Sequence, residues 1–168
     1  MASGVRTVDK LKIVPAIYNQ ALTSVASAAG TWVSMKGYNN LTIIINAANL
    51  LTPTASAVTV SQAKFVNGNG TKACQIDYVW QSNDVNNSVA LTQTTVTSNT
   101  FNTVNTANAN SVAILEIRAD RMDLANGFTA LQVNMAQAAN QTATVTYIMG
   151  NIPRYSGGMN SFMNPLVD

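Results

Sequence analysis

The sequence predicts an all-β chain, an antiparallel β-sandwich or jelly roll with extended N- and C-terminal arms. Three observations carry that prediction. Apolar residues recur at every second position in several short runs, the period of a half-buried strand. Asn- and Gly-rich turn signals stand between those runs. Charged residues make up only 10% of the 168 positions, against about a quarter in an ordinary soluble domain. Their place is taken by 21 Asn and 19 Thr, residues suited to turns and to the polar side of a strand.

Taken in order, residues 1–14 read as an N-terminal arm carrying Arg6, Lys10 and Lys12 against Asp9. Asn19 to Ala29 is rich in Ala and Ser. It has no large apolar residues at helical spacing beyond Leu22 and Val25, so it reads as a loop with at most one helical turn. Thr31-Trp-Val-Ser-Met is a weak strand. Leu41-Thr-Ile-Ile-Ile-Asn-Ala is a β-branched run fit for a core strand. Ala57-Val-Thr-Val-Ser-Gln-Ala alternates, with Val58 and Val60 on one face and Thr59 and Ser61 on the other. Asn67-Gly-Asn-Gly tolerates positive φ and suits a hairpin tip.

Cys74-Gln-Ile-Asp-Tyr-Val-Trp reads as a strand with Cys74, Ile76, Tyr78 and Trp80 on one side, so that Trp80 packs in the core. Val89 to Val96, Val112-Ala-Ile-Leu-Glu-Ile-Arg, Ala130-Leu-Gln-Val-Asn-Met and Ala143-Thr-Val-Thr-Tyr-Ile-Met continue the pattern, with Thr100-Phe-Asn-Thr as a weaker member. Gly37-Tyr-Asn-Asn, Asn83-Asp-Val-Asn-Asn and Asn126-Gly are further turns. Eight or nine short strands in residues 15–149 therefore form one domain. Residues 150–168 form a C-terminal arm rich in Gly, Pro, Asn and Met. It also carries Tyr155, Met159, Phe162 and Met163, apolar groups that suit an arm docking on a neighbour.

The composition narrows the chemistry. With no histidine, a Ser-His-Asp triad and histidine-bearing zinc sites are excluded. Cys74 is alone, so it forms no internal disulfide, and its alternating neighbours make it a buried small hydrophobe rather than a reactive thiol. A net charge of +2 is too small for a phosphate-binding surface, which argues against nucleic acid as a partner. No run of about 18 apolar residues is present, so no membrane span is expected. The N-terminal residues lack the apolar stretch of a secretory signal, so synthesis in a cytoplasm is expected. Neither a phosphate loop nor a dinucleotide fingerprint appears, and no cofactor is expected.

The densest charge cluster is Glu116, Arg118, Asp120, Arg121 and Asp123, followed by Asn126-Gly127. Three readings stay open. Asp120, Asp123 and Asn126 can ligate a cation. The cluster can be a set of surface ion pairs at a strand end, closed by the Asn-Gly turn. Or Arg118 and Arg121 can link identical subunits. Trp32, Tyr38, Tyr78 and Trp80 are the aromatic residues available as stacking platforms for a sugar.

At Gly37-Tyr-Asn-Asn-Leu-Thr-Ile-Ile-Ile, Ala57-Val-Thr-Val-Ser-Gln-Ala-Lys, Gly70-Thr-Lys-Ala and Ile117-Arg-Ala-Asp-Arg-Met-Asp-Leu-Ala-Asn-Gly-Phe, the chain resembles small structural proteins of tailed bacteriophages encoded among head genes, of the capsid-decoration type. The likeness spans roughly residues 30 to 150 and brings no catalytic motif. It implies a non-enzymatic β-sandwich cement protein, made in the bacterial host cytoplasm and bound to the major capsid protein on the outer surface of the virion, often as a homotrimer. The contacts then expected are Tyr155, Met159, Phe162 and Met163 of the C-terminal arm, with Arg118 and Arg121. The alternatives are a tail, fibre-base or head–tail connector component, or a carbohydrate-binding sandwich.

Overall fold

A computed structural model describes residues 11–87 and 90–150. Twelve strands follow one another: β1 (Lys12–Ala21), β2 (Ser27–Ala29), β3 (Val33–Ser34), β4 (Asn40–Asn49), β5 (Ala57–Ala63), β6 (Lys72–Ala73), β7 (Tyr78–Ser82), β8 (Thr92–Thr95), β9 (Thr100–Asn102), β10 (Asn110–Arg118), β11 (Ala130–Ala136) and β12 (Gln141–Gly150). Three single 3-10 turns, at Leu22–Ser24, Ala119–Arg121 and Leu124–Asn126, complete the regular structure of the described residues. The larger sheet has the order β1-β12-β4-β10-β7-β8. The smaller runs β2-β11-β5-β6, with β3 also on β11 and β9 also on β5. Every strand pair is antiparallel.

The predicted all-β sandwich is therefore what forms. Leu41, Ile43 and Ile45 of β4, Leu115 and Ile117 of β10, and Val145, Tyr147 and Met149 of β12 join Val58 and Val60 of β5 and Leu131, Val133 and Met135 of β11 in one buried cluster. Each fully buried Leu, Ile or Val stabilises the fold by about 1.5–3 kcal/mol relative to exposure. The central strands β4, β10 and β12 alternate strictly between buried and outward positions.

Two sites of polar chemistry hold the layers together. The Tyr147 phenol of the larger sheet accepts a 2.8 Å hydrogen bond from the backbone N–H of Val133 in the smaller. The need for it is local. β11 pairs with β2 through Asn134 to Ala136 and with β3 through Ala130 and Leu131, so Val133 falls in the gap between the two. Gly30 sits in that gap and donates to the Val133 carbonyl at 2.8 Å. A Cβ on Gly30 would stand 2.9 Å from both the Tyr147 hydroxyl and the Val133 carbonyl oxygen, so glycine is required by close approach. Toward the other end of the sheets, buried Gln141 accepts from the Thr103 hydroxyl at 3.0 Å and donates to Asn49 Oδ1 at 2.7 Å. Thr103 Oγ1 in turn accepts from the Ser56 N–H at 2.8 Å, and the Ser56 hydroxyl donates to the Ala136 carbonyl. Every member of this buried chain has a partner, the condition under which polar groups fix a unique core.

Several sequence readings are corrected. Asn19 to Ala29 holds the single helical turn expected, a 3-10 turn at Leu22–Ser24 with Leu22 buried, but it is not otherwise a loop: β1 continues to Ala21 and β2 follows at Ser27. β1 begins at Lys12, inside the 1–14 stretch read as an arm, and β12 runs to Gly150, the first residue of the 150–168 stretch. The remainder of both stretches lies outside the described residues, Tyr155, Met159, Phe162 and Met163 among them. The third correction concerns residues 74–80. Cys74 and Ile76 are buried, but Tyr78 and Trp80 point outward and Val79 takes the inward position. The chain passes here from β6 in the smaller sheet to β7 in the larger, and the inward phase resets at the crossing.

Candidate interaction surface

The charged segment between β10 and β11 is held by partners within it and on neighbouring elements. Arg118 pairs with Asp120 at 2.7 Å, and Arg121 reaches Asp77 at 2.7 Å. Asp123 pairs with Lys72 and also accepts from Asn126 Nδ2 at 2.9 Å, while its N–H donates to Gln62 Oε1. The Lys72 hydrogen bond, followed by that of Asn126, lowers the pKa of the Asp123 carboxyl. Lys72 also lies 4.5 Å from the Phe128 ring centroid. Asn126 turns its amide N–H toward Asp123, and Asp120 faces a guanidinium, so both carboxylates are occupied by cations or donors of the chain itself. Among the described residues no group of three metal-ligating side chains comes together. The turn closes at Gly127, with φ 80. Of the three readings of this cluster, intrachain ion pairs plus a turn describe its geometry. Arg118 and Arg121 remain 71% and 60% exposed, and pairs this wet contribute little to stability.

The aromatic residues divide. Tyr38 is buried. Trp32 lies against Gly68 in the Asn67–Gly70 turn, where an added Cβ would come 2.8 Å from its indole nitrogen. Tyr78 and Trp80, at 50% and 42% exposure, share the outer face of the larger sheet. Across β7 and β10, Trp80 stands opposite Ile114, and across β10 and β4, Ile114 stands opposite Ile44. Ile44 is opposite Thr146 of β12, and Thr146 is opposite Pro15 of β1. One row over, Ile13 faces Ile148, which faces Thr42. The outer face is thus floored by Ile, Val, Thr and two aromatic rings, with Asn40, Asn46 and Asn110 among them. Its charged members on the central strands are Glu116, which accepts from Asn40, and Arg118. Sequence reasoning missed this face because it placed Trp80 in the core.

A smaller apolar feature sits where β4 ends. Leu50 and Leu51 are both exposed, and Thr52 next to them has φ 53, a conformation a β-branched residue adopts only under strain. Asn140 Nδ2 holds the Thr52 carbonyl and hydroxyl at 3.3 Å. Cys74 is fully buried, and burial pushes its thiol up to about 11. No helix among the described residues is long and apolar enough to cross a membrane.

No protein-family model and no curated protein matches the chain. A solved structure, that of the SPBc2 prophage-derived protein YomS, superposes with a TM-score of 0.44 at 10% sequence identity, covering 84% of this chain and 93% of that one.

Proposed function

We propose that the chain is a non-enzymatic virion protein of a tailed bacteriophage, a decoration protein that binds the major capsid protein on the outside of the head as a homo-oligomer. The observation that carries this reading is the outer face of the larger sheet. Exposed sheet faces are ordinarily covered with charged and polar side chains. Here the row Trp80, Ile114, Ile44, Thr146 offers a charge-free surface of β-formers that ends at Pro15 on the edge strand. Apolar ground of this kind marks an interaction site. A neutral surface also docks without desolvating ions. The resemblance at residues 37–45, 57–64, 70–73 and 117–128 supports the major capsid protein as that partner. Arms from residues 1–11 and 151–168 would extend the grip to neighbouring subunits, and many copies of a modest contact add up on a repetitive shell.

Recombinant chain mixed with purified shells that lack it should co-sediment with them. Ile114→Glu and Trp80→Glu, which put a charge on the face, should abolish co-sedimentation while leaving the melting temperature close to wild type. Undiminished binding by both variants would remove the face from the account.

A second reading is favoured by Tyr78 and Trp80 standing two residues apart on one face. Such a pair can stack on the apolar faces of sugar rings. Binding to a glycan that is lost in Trp80→Ala, together with no binding to shells, would select it.

A further inference from the structure

We propose that β8 is a pairing edge for a second copy of this chain: two β8 strands meet antiparallel across a two-fold axis and join the larger sheets of the two copies into one. Such pairing is independent of attachment to a shell.

The polarity of the ladder shows which groups are free. The Val96 N–H donates to the Asp77 carbonyl at 2.9 Å, and Tyr78 stands opposite Thr95. Opposed residues in an antiparallel ladder alternate between pairs that exchange both hydrogen bonds and pairs that exchange none. The Val96–Asp77 bond flanks Tyr78–Thr95, which is therefore a non-bonded pair. Val79–Thr94 and Gln81–Thr92 are the bonded ones. Thr92 and Thr94 aim their backbone groups at β7, whereas Gln93 and Thr95 aim theirs away from the sheet. Among the described residues no strand lies beyond β8. All four of its residues are exposed, so the strand overhangs the sandwich.

Free edges are normally guarded by shortness, proline, charge or bulges. The other edge of this sheet, β1, carries Lys12, Pro15 and two register shifts. The smaller sheet ends in the two- and three-residue strands β2, β3, β6 and β9, with Lys72 on β6. β8, Thr92-Gln-Thr-Thr95, is only four residues long, but it carries no proline, charge or bulge, and no charged residue stands between Asp84 and Glu116. The symmetry of the edge points to a second copy. A head-to-tail contact of β8 with β1 would need a regular ladder along β1, which the bulges interrupt. An antiparallel pair of identical strands is self-complementary and closes. With Thr94 on the axis, Gln93 of one copy lies opposite Thr95 of the other, and the four free N–H and four free C=O groups of these residues meet in pairs. Gln93 and Thr95 are the cross-strand partners of Trp80 and Tyr78, so the apolar outer faces of the two copies become continuous.

Sedimentation velocity of the full chain over a wide concentration range tests this. The wild type should reach the mass of two copies. Gln93→Pro removes an outward N–H and leaves the β7 ladder intact. Thr94→Lys sets like charges directly opposite each other at an exposed position. Both should give the mass of one copy with an unchanged melting temperature. An equimolar mixture of Thr94→Lys and Thr94→Glu should recover the two-copy mass. Should Gln93→Pro fail to fold, Thr94→Lys and the mixture carry the test alone. A wild type that stays single at all concentrations, a three-copy mass, or a two-copy mass that survives Thr94→Lys would each overturn the proposal.

Discussion

β1 and β8 flank the same sheet, and little else about them is alike. β1 is bulged twice, contains Pro15, and is tied to the other layer where the Thr31 N–H donates to the Ala16 carbonyl at 3.2 Å. Its neighbour β12 sends the Tyr147 phenol across the core to Val133. β8 is regular, uncharged and exposed on both faces, and it makes its strand contacts with β7. One side of the sandwich is clamped and the other overhangs. An edge fastened to its own core has little left to offer a partner, while an overhanging edge keeps its hydrogen-bonding groups available. The contrast separates the residues that hold the fold from those that make contacts.

The clamp is the place to break the comparison hardest. Tyr147→Ala removes a fully buried ring and should cost about 3–5 kcal/mol of unfolding free energy. Tyr147→Phe keeps the ring and orphans the Val133 N–H, for which about 1–3 kcal/mol is expected. Urea denaturation measures both, and equal losses would mean that the hydroxyl, not the packing, is what matters.

Cys74 sharpens the comparison at the crossing between the sheets. Its thiol is raised to about 11 by burial, the first cause, against a smaller lowering by Lys72. A thiol reagent at mildly alkaline pH should leave the native chain unmodified and label it fully once unfolded. Because the folded value lies above the ordinary thiol value of about 8.5, the contribution to stability is complete below that pH and declines as pH rises toward the folded value. Rapid labelling of native protein would mean that the crossing opens.

Smaller effects belong to the surface. The folded pKa of Asp123 is lowered, chiefly by the Lys72 hydrogen bond. The stabilisation is therefore present above the unfolded carboxylate value of about 3.9 and is lost as pH falls through the lower folded value. Asp123→Asn should lower stability slightly across the neutral region and flatten the acid limb of a stability-versus-pH curve, so that the two curves converge at the lowest pH. At the overhang, Thr92→Ala should change stability by less than about 0.5 kcal/mol. A larger loss would mean that β8 is packed more firmly than its exposure indicates.

The residues explain why part of this was readable and part was not. β5 occupies the span read from alternation, Ala57–Ala63, and β10, β11 and β12 contain theirs, because these strands face core on one side along their whole length. The Asn67–Gly70 turn was legible because Gly68 and Gly70 sit at positive φ. β1 was not. Its bulges and Pro15 destroy the period of two, and its burial follows no simple alternation. β7 misled for a related reason: the crossing at residues 74–77 shifts the inward phase while the letters keep alternating. At the surface, the clustering of Arg118 and Arg121 was visible, but Asp77 as the partner of Arg121 is a tertiary fact. The outer face could have been found from Ile44, Ile114 and Ile148, apolar residues occupying the outward phase of strands whose inward phase was already filled.

The direct test of the decoration reading is a count of copies. Quantitative mass spectrometry of gradient-purified particles would set this chain against the major capsid protein. The account predicts a ratio of the order of the capsid lattice itself, with hundreds of copies on each head. A handful of copies would place the chain at a tail or connector, and its absence from particles would contradict the virion assignment outright.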